Sequence, residues 1–387
     1  MLEVYIGPNG YGKTKRLESI KQNLITSGVH SSEILFLESE LLLMDEVKDT
    51  KDSTKTMEYI LTELLSTQAI ETARHCFELA IDSEITNNIP RMNTILDDIL
   101  SLNGQTRTQN KNFIDVNPSK DYKKLVTINS VDIKNKMGSG QRMQLILELV
   151  KSSTKNYIFI DEPEKYSHPS MLNQTAKLIE DLAQNKNVYI ATHSPKLLSM
   201  MDVDLDKIYV INDITHQPKS LNIAGIIADL QQVNISNFPN KCKTYYEEGR
   251  FKENIRELHY RDFLEALFAK KVYICEGVND ELFIKKLLQS RNLYYEDYAI
   301  FKTYGKYHML VFAKIFENLN SNVHIFFDKD IDTRNQDIII NPLLSSYNHY
   351  MFTKTLEEEL GYIDSKSDTV KFIEFLEGFN FNGSNYL

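Results

Sequence analysis

Short apolar runs that alternate with helical patterns are the clearest feature of this sequence, and they predict an α/β fold. Each run is short enough for a buried strand, and most of them end in a glycine-rich or acidic turn. The runs lie within residues 2–6, 156–160, 188–191, 206–214, 271–275 and 321–327. Two separate groups of runs, one early and one late, predict two α/β domains.

Two regions between the runs have a different character. Residues 45–110 carry apolar residues at helical spacing and predict a helical insertion packed on the first domain. Residues 234–263 are polar, irregular and charged, which predicts a solvated linker. We therefore expect a first domain over residues 1–235, a linker over 236–268 and a second domain over 269–387.

Composition limits the classes of protein that fit. The net charge of −10 disfavours a protein that coats nucleic acid by bulk charge, although a local patch or bound metal ions can still grip it. No apolar stretch reaches the roughly 20 residues of a membrane span, and the first residues lack the pattern of a signal peptide. Three widely spaced cysteines predict neither a disulfide framework nor a zinc site. A reducing cytoplasm is the expected location.

A glycine-rich segment follows the first apolar run, with the spacing G-x-x-x-x-G-K-T. It is GPNGYGKT, residues 7–14, and a helical pattern comes directly after it. Its glycines allow backbone N–H groups to turn inward around a phosphate, Lys13 can reach the β- and γ-phosphates, and Thr14 offers a hydroxyl to Mg²⁺. A chance turn is the alternative, but the strand before and the helix after favour a nucleotide site. The residues expected to bind ATP here are Asn9, Gly10, Gly12, Lys13 and Thr14.

Two later runs end in residues that a nucleotide site needs. The run at 156–160 leads into Asp161 and Glu162. Asp161 is expected to hold Mg²⁺, and Glu162 to polarise the attacking water. The run at 188–191 leads into Thr192 and His193, and a histidine in such a position is, taken alone, more often structural.

Together with KMGSGQRMQLILELV at 136–150, these pieces resemble the ABC-type ATPases of DNA repair and chromosome maintenance. In that class a Ser-Gly-Gln segment of one subunit caps the γ-phosphate bound by the other subunit. By this resemblance Ser139, Gly140 and Gln141 act in trans, His193 contacts the same phosphate in cis, and the protein forms a homodimer or a higher homo-oligomer.

Two departures from the class predict slow ATP hydrolysis. The usual order Ser-Gly-Gly-Gln is here Gly-Ser-Gly-Gln, residues 138–141. The glutamine of the loop after the second strand is not identifiable, and Glu38 or Glu40 stands in its region.

Carboxylates follow two of the late apolar runs. EGVND, residues 276–280, follows the run at 271–275, and Asp328 and Asp330 follow the run at 321–327. Taken alone, EGVND is more often a surface turn before a helix. Carboxylates from two strand ends would, however, meet at one edge of a parallel sheet, and several carboxylate oxygens suit a hard divalent ion.

This part of the chain resembles the Toprim domain of topoisomerases, primases and certain nucleases. Glu276 and Asp280 match its Glu-Gly-x-x-Asp stretch, and Asp328 and Asp330 match its Asp-x-Asp stretch. The Gly-Lys turn at Lys306 and the later LEEEL segment match more narrowly the OLD (overcoming lysogenisation defect) family, which joins an ABC-type ATPase to a C-terminal Toprim nuclease. That resemblance covers nearly the whole chain and implies a Rossmann-like Toprim domain with a parallel sheet.

The resemblance implies metal-assisted phosphodiester hydrolysis with Mg²⁺ or Mn²⁺. The expected ligands are Glu276, Asp280, Asp328 and Asp330, with Glu357 or Glu358 completing a second ion's site. Lys306 is expected to neutralise transition-state charge, and a structural turn lysine is the equal alternative.

The leading hypothesis is an ATP-binding, metal-dependent DNA endonuclease that serves in anti-phage defence. RNA is a second candidate substrate, and a retron reverse transcriptase with its RNA–DNA product is a candidate partner. The alternative is a non-nucleolytic ATPase switch, a DNA clamp or partner-binding module whose Toprim domain is inactive.

Overall fold

The fold was analysed in a computed structural model of the 387-residue chain. It describes residues 1–39, 139–165, 167–211, 217–232, 246–293, 297–319, 321–329, 337–362 and 368–381, with a few single residues between these ranges. The helical insertion expected at 45–110 lies, apart from such single residues, outside them. The chain divides into two compact units, of which the first holds residues 1–29, 159–164 and 187–387 and the second holds 30–158 and 165–186.

Strands and helices alternate along the described chain, as the sequence predicts. The strands are β1 (Leu2–Ile6), β2 (Ile34–Leu37), β3 (Tyr157–Asp161), β4 (Asn187–Thr192), β5 (Ile208–Val210), β6 (Lys219–Ser220), β7 (Lys271–Cys275), β8 (Tyr298–Lys302), β9 (Asn322–Asp328) and β10 (Asn348–Phe352). The helices of the N-terminal part are α1 (Lys13–Thr26), α2 (Ser139–Ser152), α3 (Leu172–Asn185), α4 (Pro195–Ser199) and α5 (Ile223–Gln232). The later helices are α6 (Glu248–Asn254), α7 (Tyr260–Ala266), α8 (Val278–Ser290), α9 (Lys306–Asn318), α10 (Asp337–Leu344), α11 (Leu356–Leu360) and α12 (Thr369–Gly378).

The first unit contains a sheet with the strand order β3-β4-β1-β5-β6. β1 pairs in parallel with β4 and with β5, and β6 is antiparallel to β5. Buried apolar side chains such as Val4, Ile6 and Ile190 give each central strand its continuous apolar run. The parallel pairing places the ends of β1 and β4 at the same edge of the sheet, so the segments that follow these strands lie together.

The second unit contains β2, the beginning of β3, and the helices α2 and α3. The two helices pack side by side, and each of them buries apolar residues, such as Ile146 and Leu147 of α2 and Ile179 of α3. Their exposed faces are joined by a bond of 2.8 Å from Lys151 Nζ to Asp181. Each helix of this pair therefore has a buried apolar face and an exposed polar face.

A second sheet, of four parallel strands, lies in the C-terminal part of the first unit. Its order is β10-β9-β7-β8. In its register Cys275 is the partner of Lys302, and Phe352 is the partner of Asp328. The strands therefore end together, and the segments that follow them meet at one edge of the sheet. The α/β class with parallel sheets, expected from the sequence, is confirmed.

The segment between the two sheets corrects one expectation. Residues 248–266 were expected in a solvated linker, but they form α6, a π-helix at Ile255–His259, and α7. Phe251, Ile255 and Phe263 are fully buried there. The polar composition belongs to the exposed faces of these helices, and the apolar residues at helical spacing were the missed signal. The domain limits at residues 235 and 268 stay a prediction.

Aromatic rings pack beneath this helical segment and form what we call the His259 cluster: His259, Phe301, Tyr304, His308 and Phe312. The ring centroid of His259 lies 5.4 Å from that of Phe312 and 5.5 Å from that of Tyr304. Burial lowers the pKa of His259 to about 4, His308 adds to this effect, and Asp262 opposes it. The cluster joins the helical segment to β8 and α9.

No helix in the described part of the chain is long and apolar enough to cross a membrane.

Replacing Phe263 with alanine tests whether the helical segment is part of the core. The ring packs against Phe301, Phe312 and Phe316, so we expect a loss of about 3–5 kcal/mol in the free energy of unfolding, measured by denaturant titration. Arg261→Ala is the matched control on the exposed face of the same helix and should change this free energy by less than about 0.5 kcal/mol. Equal effects of the two changes would show that the segment is a solvated linker.

Acidification is expected to destabilise the fold through His259. Below pH 6.5 the unfolded chain binds a proton at this residue, whereas the folded chain does not until about pH 4. The stability contribution is therefore complete above pH 6.5 and is lost as the pH falls towards 4, by on the order of 3 kcal/mol. We expect His259→Phe to reduce the difference between the unfolding free energies at pH 7 and pH 4.5. Parallel pH profiles of the variant and the wild type would contradict this expectation.

Candidate functional site

The loop between β1 and α1 has the backbone that the sequence predicts for a phosphate-binding loop. Gly7, Gly10 and Gly12 have φ angles of 149°, 82° and 85°. A Cβ atom on Gly7 would lie 2.3 Å from the carbonyl oxygen of Ile211, which follows β5. Gly7 is therefore fixed both by its backbone conformation and by the close approach of β5, and Asn9 is exposed in the middle of the loop.

Lys13 and Thr14 begin helix α1 directly behind this loop. The Lys13 ammonium group is buried and donates to the carbonyl oxygens of Gly7 and Pro8, at 2.9 and 3.1 Å. Burial lowers the pKa of Lys13, and the nearby acids Glu162, Asp161 and Glu164 oppose that shift. Thr14 Oγ1 donates to Asp161 Oδ2 at 2.9 Å. The hydroxyl and the carboxylate expected to hold Mg²⁺ therefore lie side by side.

Glu162, Glu164 and His193 meet at the ends of β3 and β4. His193 Nδ1 lies 3.3 Å from Glu162 Oε1 and 3.2 Å from Glu164 Oε1. Glu162 has a φ of 48°, an unusual value for a residue other than glycine, and such strain is often found at functional sites. Glu164, which the sequence reasoning missed, accepts from Thr192 Oγ1 at 2.7 Å and from the His193 N–H at 3.1 Å. Glu164 therefore orients His193.

The segment expected to act in trans begins helix α2 in the second unit. Ser139 is the first residue of α2, and Gly138 lies outside the described residues. Gly140 is buried, and a Cβ atom there would lie 2.9 Å from the sulfur of Met171, which gives the glycine a packing role as well. Gln141 is exposed and lines a groove of about 720 Å³ between α2 and α3. Glu38 is exposed after β2, whereas Glu40 lies outside the described residues.

Four of the expected metal ligands line one cavity at the carboxyl edge of the second sheet. The cavity has a volume of about 310 Å³. Glu276 follows β7, Asp280 lies in the first turn of α8, Asp328 ends β9, and Glu357 lies in α11. No lysine or arginine is among the described residues that line it. Asp330 lies outside the described residues.

Each of three carboxylates is held by a local donor. Asp280 Oδ2 accepts from the Gly277 N–H at 2.8 Å, and Asp328 Oδ1 accepts from the Leu356 N–H at 2.9 Å. Glu357 Oε1 accepts from Asn279 Nδ2 at 2.8 Å. Within the described residues, no three side chains of His, Cys, Asp or Glu stand close enough to hold an ion in these positions.

The electrostatics of the cavity favour a cation. Burial raises the pKa of Asp280 to about 7, the Gly277 N–H opposes this shift, and the carboxylates of Glu276 and Glu357 add to it. The contributions of Glu276 and Glu357 to this shift show that their carboxylates lie near that of Asp280. A lining with four carboxylates, and with no lysine or arginine among its described residues, fits a hard divalent cation.

The structure places Glu357 and Glu358 differently. Glu357 lines the cavity, whereas the Glu358 side chain is 55% exposed and lies 3.1 Å from Lys354 Nζ. Glu357 is therefore the better candidate for a ligand. Lys306 is buried, and its ammonium group donates to the backbone carbonyl of Asp328, which favours a role in holding the end of β9.

Comparison with known proteins identifies the two parts of the chain. Residues 267–330 match the family described as "Overcoming lysogenization defect protein-like, TOPRIM domain". Residues 45–198 match the family described as "AAA ATPase domain". The chain joins an AAA ATPase domain to an OLD-like Toprim domain. The predicted resemblance to OLD-type proteins is confirmed, and the acidic cavity lies at the carboxyl edge of the Toprim sheet.

Two curated relatives match parts of this ATPase–Toprim chain. An uncharacterized protein of Methanocaldococcus jannaschii is 37% identical over 68 residues, which cover 17% of the chain and 60% of the relative. Endonuclease GajA of Bacillus cereus is 25% identical over 195 residues, which cover 47% of the chain and 27% of the relative. The chain thus covers less than two thirds of either relative.

Alanine at Gly7 is expected to disrupt the nucleotide loop. The added Cβ meets the backbone of Ile211 rather than a flexible side chain, so the loop must move, and we expect at least about tenfold weaker binding of a fluorescent ATP analogue. Gly28→Ala is the matched control, because Gly28 has a φ of 101° but its Cβ would meet nothing within 4 Å. That control should lower the unfolding temperature and leave the nucleotide affinity unchanged. If Gly7→Ala binds the ATP analogue as tightly as the wild type does, Gly7 is not part of the nucleotide site.

Proposed function

We propose that this protein is an ATP-binding, divalent-metal-dependent DNA endonuclease of OLD type. The observation that carries the proposal is the acidic cavity of Glu276, Asp280, Asp328 and Glu357 at the carboxyl edge of the Toprim sheet. The match to an endonuclease of Bacillus cereus supports the reaction class. The domain combination supports regulation of this site by a nucleotide.

The carboxylates would hold Mg²⁺ or Mn²⁺, together with Asp330 from the segment after β9. The chemistry that such an ion would supply is activation of a water molecule and stabilisation of the charge on the leaving oxygen. The chain's own contribution is to orient the oxygen donors. Asn279 fixes Glu357, the Leu356 N–H fixes Asp328, and Lys306 fixes the carbonyl end of β9.

The ATPase residues would bind a nucleotide with its Mg²⁺ ion. Asn9, Gly10 and Gly12 of the loop supply N–H groups, Lys13 contacts the phosphates, and Thr14 and Asp161 orient the metal. Glu162 would polarise the attacking water, and His193, oriented by Glu164, would contact the γ-phosphate. These roles are inferred from the side-chain positions and from the order of the motifs.

The proposal also covers the assembly of the protein and its biological role. Ser139, Gly140 and Gln141 of one subunit would cap the nucleotide of another, so the active form is a homodimer or a higher homo-oligomer. We propose a cytoplasmic role in anti-phage defence, with DNA as substrate and RNA as a second candidate. A retron reverse transcriptase with its RNA–DNA product is the candidate partner.

One observation favours a second candidate, a non-nucleolytic ATPase switch. Within the described residues the carboxylates of the cavity do not stand together in a ready metal site. Under this alternative the Toprim domain binds DNA or a partner without cleaving it. Binding of Mn²⁺ without cleavage of any nucleic acid would favour it.

Cleavage of plasmid and single-stranded DNA in Mn²⁺ and Mg²⁺, with and without ATP, tests the proposal. Asp328→Asn removes a charge but keeps an oxygen that can accept from the Leu356 N–H, so the fold is retained. We expect at least about a hundredfold loss of cleavage, because losing a metal ligand should cost more than the roughly 10- to 100-fold that follows the loss of a group that only orients a ligand.

The adjacent residues Glu357 and Glu358 provide a test of metal binding and its matched control. Glu357→Gln should weaken Mn²⁺ binding, measured by calorimetry, by about 10- to 100-fold. Glu358→Gln, on the exposed neighbour, should leave both Mn²⁺ affinity and cleavage unchanged. Undiminished cleavage by Asp328→Asn would falsify the assignment of the site.

A further inference from the structure

Tyr304 occupies an unusual position on the loop between β8 and α9. Its side chain is among the few large apolar ones exposed in the described chain, with 56% of the residue accessible. Its φ angle is 51°, in the left-handed region that a bulky residue rarely adopts. Glycine would adopt this conformation without strain, so the stability of the fold does not explain why tyrosine stands at this position.

The loop is tied to the edge of the sheet that carries the acidic cavity. The Tyr304 N–H donates to the backbone carbonyl of Glu276 at 3.0 Å, and the Thr303 N–H donates to that of Cys275 at 3.0 Å. Thr303 Oγ1 bridges the carbonyls of Cys275 and Gly305. The Tyr304 backbone is therefore held next to Glu276, one of the carboxylates that line the cavity.

The phenol ring of Tyr304 is supported from below by His259. The two ring centroids lie 5.5 Å apart with an interplanar angle of 29°, so the rings are stacked. His259 is 1% exposed, and neither of its ring nitrogens has a hydrogen-bond partner within the described residues. The buried imidazole of His259 therefore provides a flat surface on which the Tyr304 ring packs. This contact fixes the ring, while much of Tyr304 remains exposed to solvent.

A flat, fixed aromatic surface beside a proposed phosphodiester-cleaving site suits one ligand class. Nucleobases stack on aromatic side chains without regard to sequence, because every base has a π-face. A cation is also near in the chain, because Lys302 ends β8 two residues before Tyr304, and its ammonium group lies 2.6 Å from Glu281. Apolar side chains of a protein partner would not require a strained, rigid ring at this position.

We propose that Tyr304 stacks on an unpaired nucleobase of the substrate and so positions the neighbouring phosphodiester at the acidic cavity. This inference rests on the proposed nuclease function and deepens it, because it makes single-stranded or locally unpaired nucleic acid the bound form. The His259 cluster is then the support of a substrate-binding platform, and Tyr304 is a binding residue rather than a nucleophile.

A cycle of two proteins and two ligands tests the stacking directly. The ligands are a 12-nucleotide oligothymidylate and a strand of the same length and charge made entirely of abasic sugars, both labelled for fluorescence anisotropy. The full-length wild type and Tyr304→Ala are compared in Ca²⁺ at one fixed ionic strength, because phosphate contacts depend on salt. We expect Tyr304→Ala to bind the oligothymidylate about 5- to 100-fold more weakly and the abasic strand equally well.

Two further variants separate stacking from other effects. Tyr304→Phe keeps the ring and should bind both strands as the wild type does, which also excludes a role of the hydroxyl group. Val370→Ala removes another exposed apolar side chain of the same domain and should change neither affinity. The unfolding temperature of each variant, measured alongside, shows that the fold is kept.

The outcomes distinguish this inference from the proposed function. Equal weakening of both strands by Tyr304→Ala, or no weakening of either, overturns the stacking role. If the wild type cleaves nucleic acid and Tyr304→Ala gives either of these two results, the stacking role is overturned and the proposed nuclease function is kept. Base-dependent binding through Tyr304 in a protein that cleaves no nucleic acid overturns the nuclease and leaves the platform in place. A wild type that binds neither strand overturns the platform.

Discussion

The parallel pairing of β7 with β8 and β9, and of β9 with β10, is the constraint on which the Toprim part depends. Because all four strands run the same way, the segments that follow them emerge at one edge. That edge collects carboxylates from positions as far apart in sequence as Glu276 and Glu357. Their mutual repulsion is offset by local donors, which hold three of the acids separately. The same edge also holds Tyr304, through the carbonyl of Glu276.

Local sequence patterns were sufficient to predict much of this arrangement. The glycine-rich loop after β1, the acidic end of β3 and the carboxylates after β7 and β9 all follow continuous apolar runs. In each segment the residues that indicate its chemistry are neighbours in the sequence. The contact between Thr14 and Asp161 follows from the motif pair, although 147 positions separate them. Parallel sheets bring such segments together whenever the strand order is right.

Other features depend on tertiary contacts that no local pattern records. Glu357 and Glu358 are adjacent and identical in type, and only the direction of α11 places one on the cavity and the other beside Lys354. Glu164 was overlooked because its role arises from β4, whose Thr192 and His193 donate to it. Tyr304 is one of 21 tyrosines, and its strained backbone and its histidine support are invisible in the sequence. Helices α6 and α7 were mistaken for a linker because their exposed faces dominate the composition.

The packed state of those helices has a consequence for the independence of the two domains. Phe251 packs against Phe312 of α9, and Phe263 packs against Phe301 of β8 as well as Phe312. The Tyr246 hydroxyl donates to the carbonyl of Tyr307, and the Tyr246 carbonyl accepts from Gln231 of α5. A Toprim fragment that begins at residue 269 would lack α6 and α7, and the aromatic residues that these helices cover would become exposed to solvent. The smallest unit that could fold by itself is therefore the Toprim sheet together with the helices that precede it. Recombination that joins a Toprim domain to a different ATPase domain would have to include those helices.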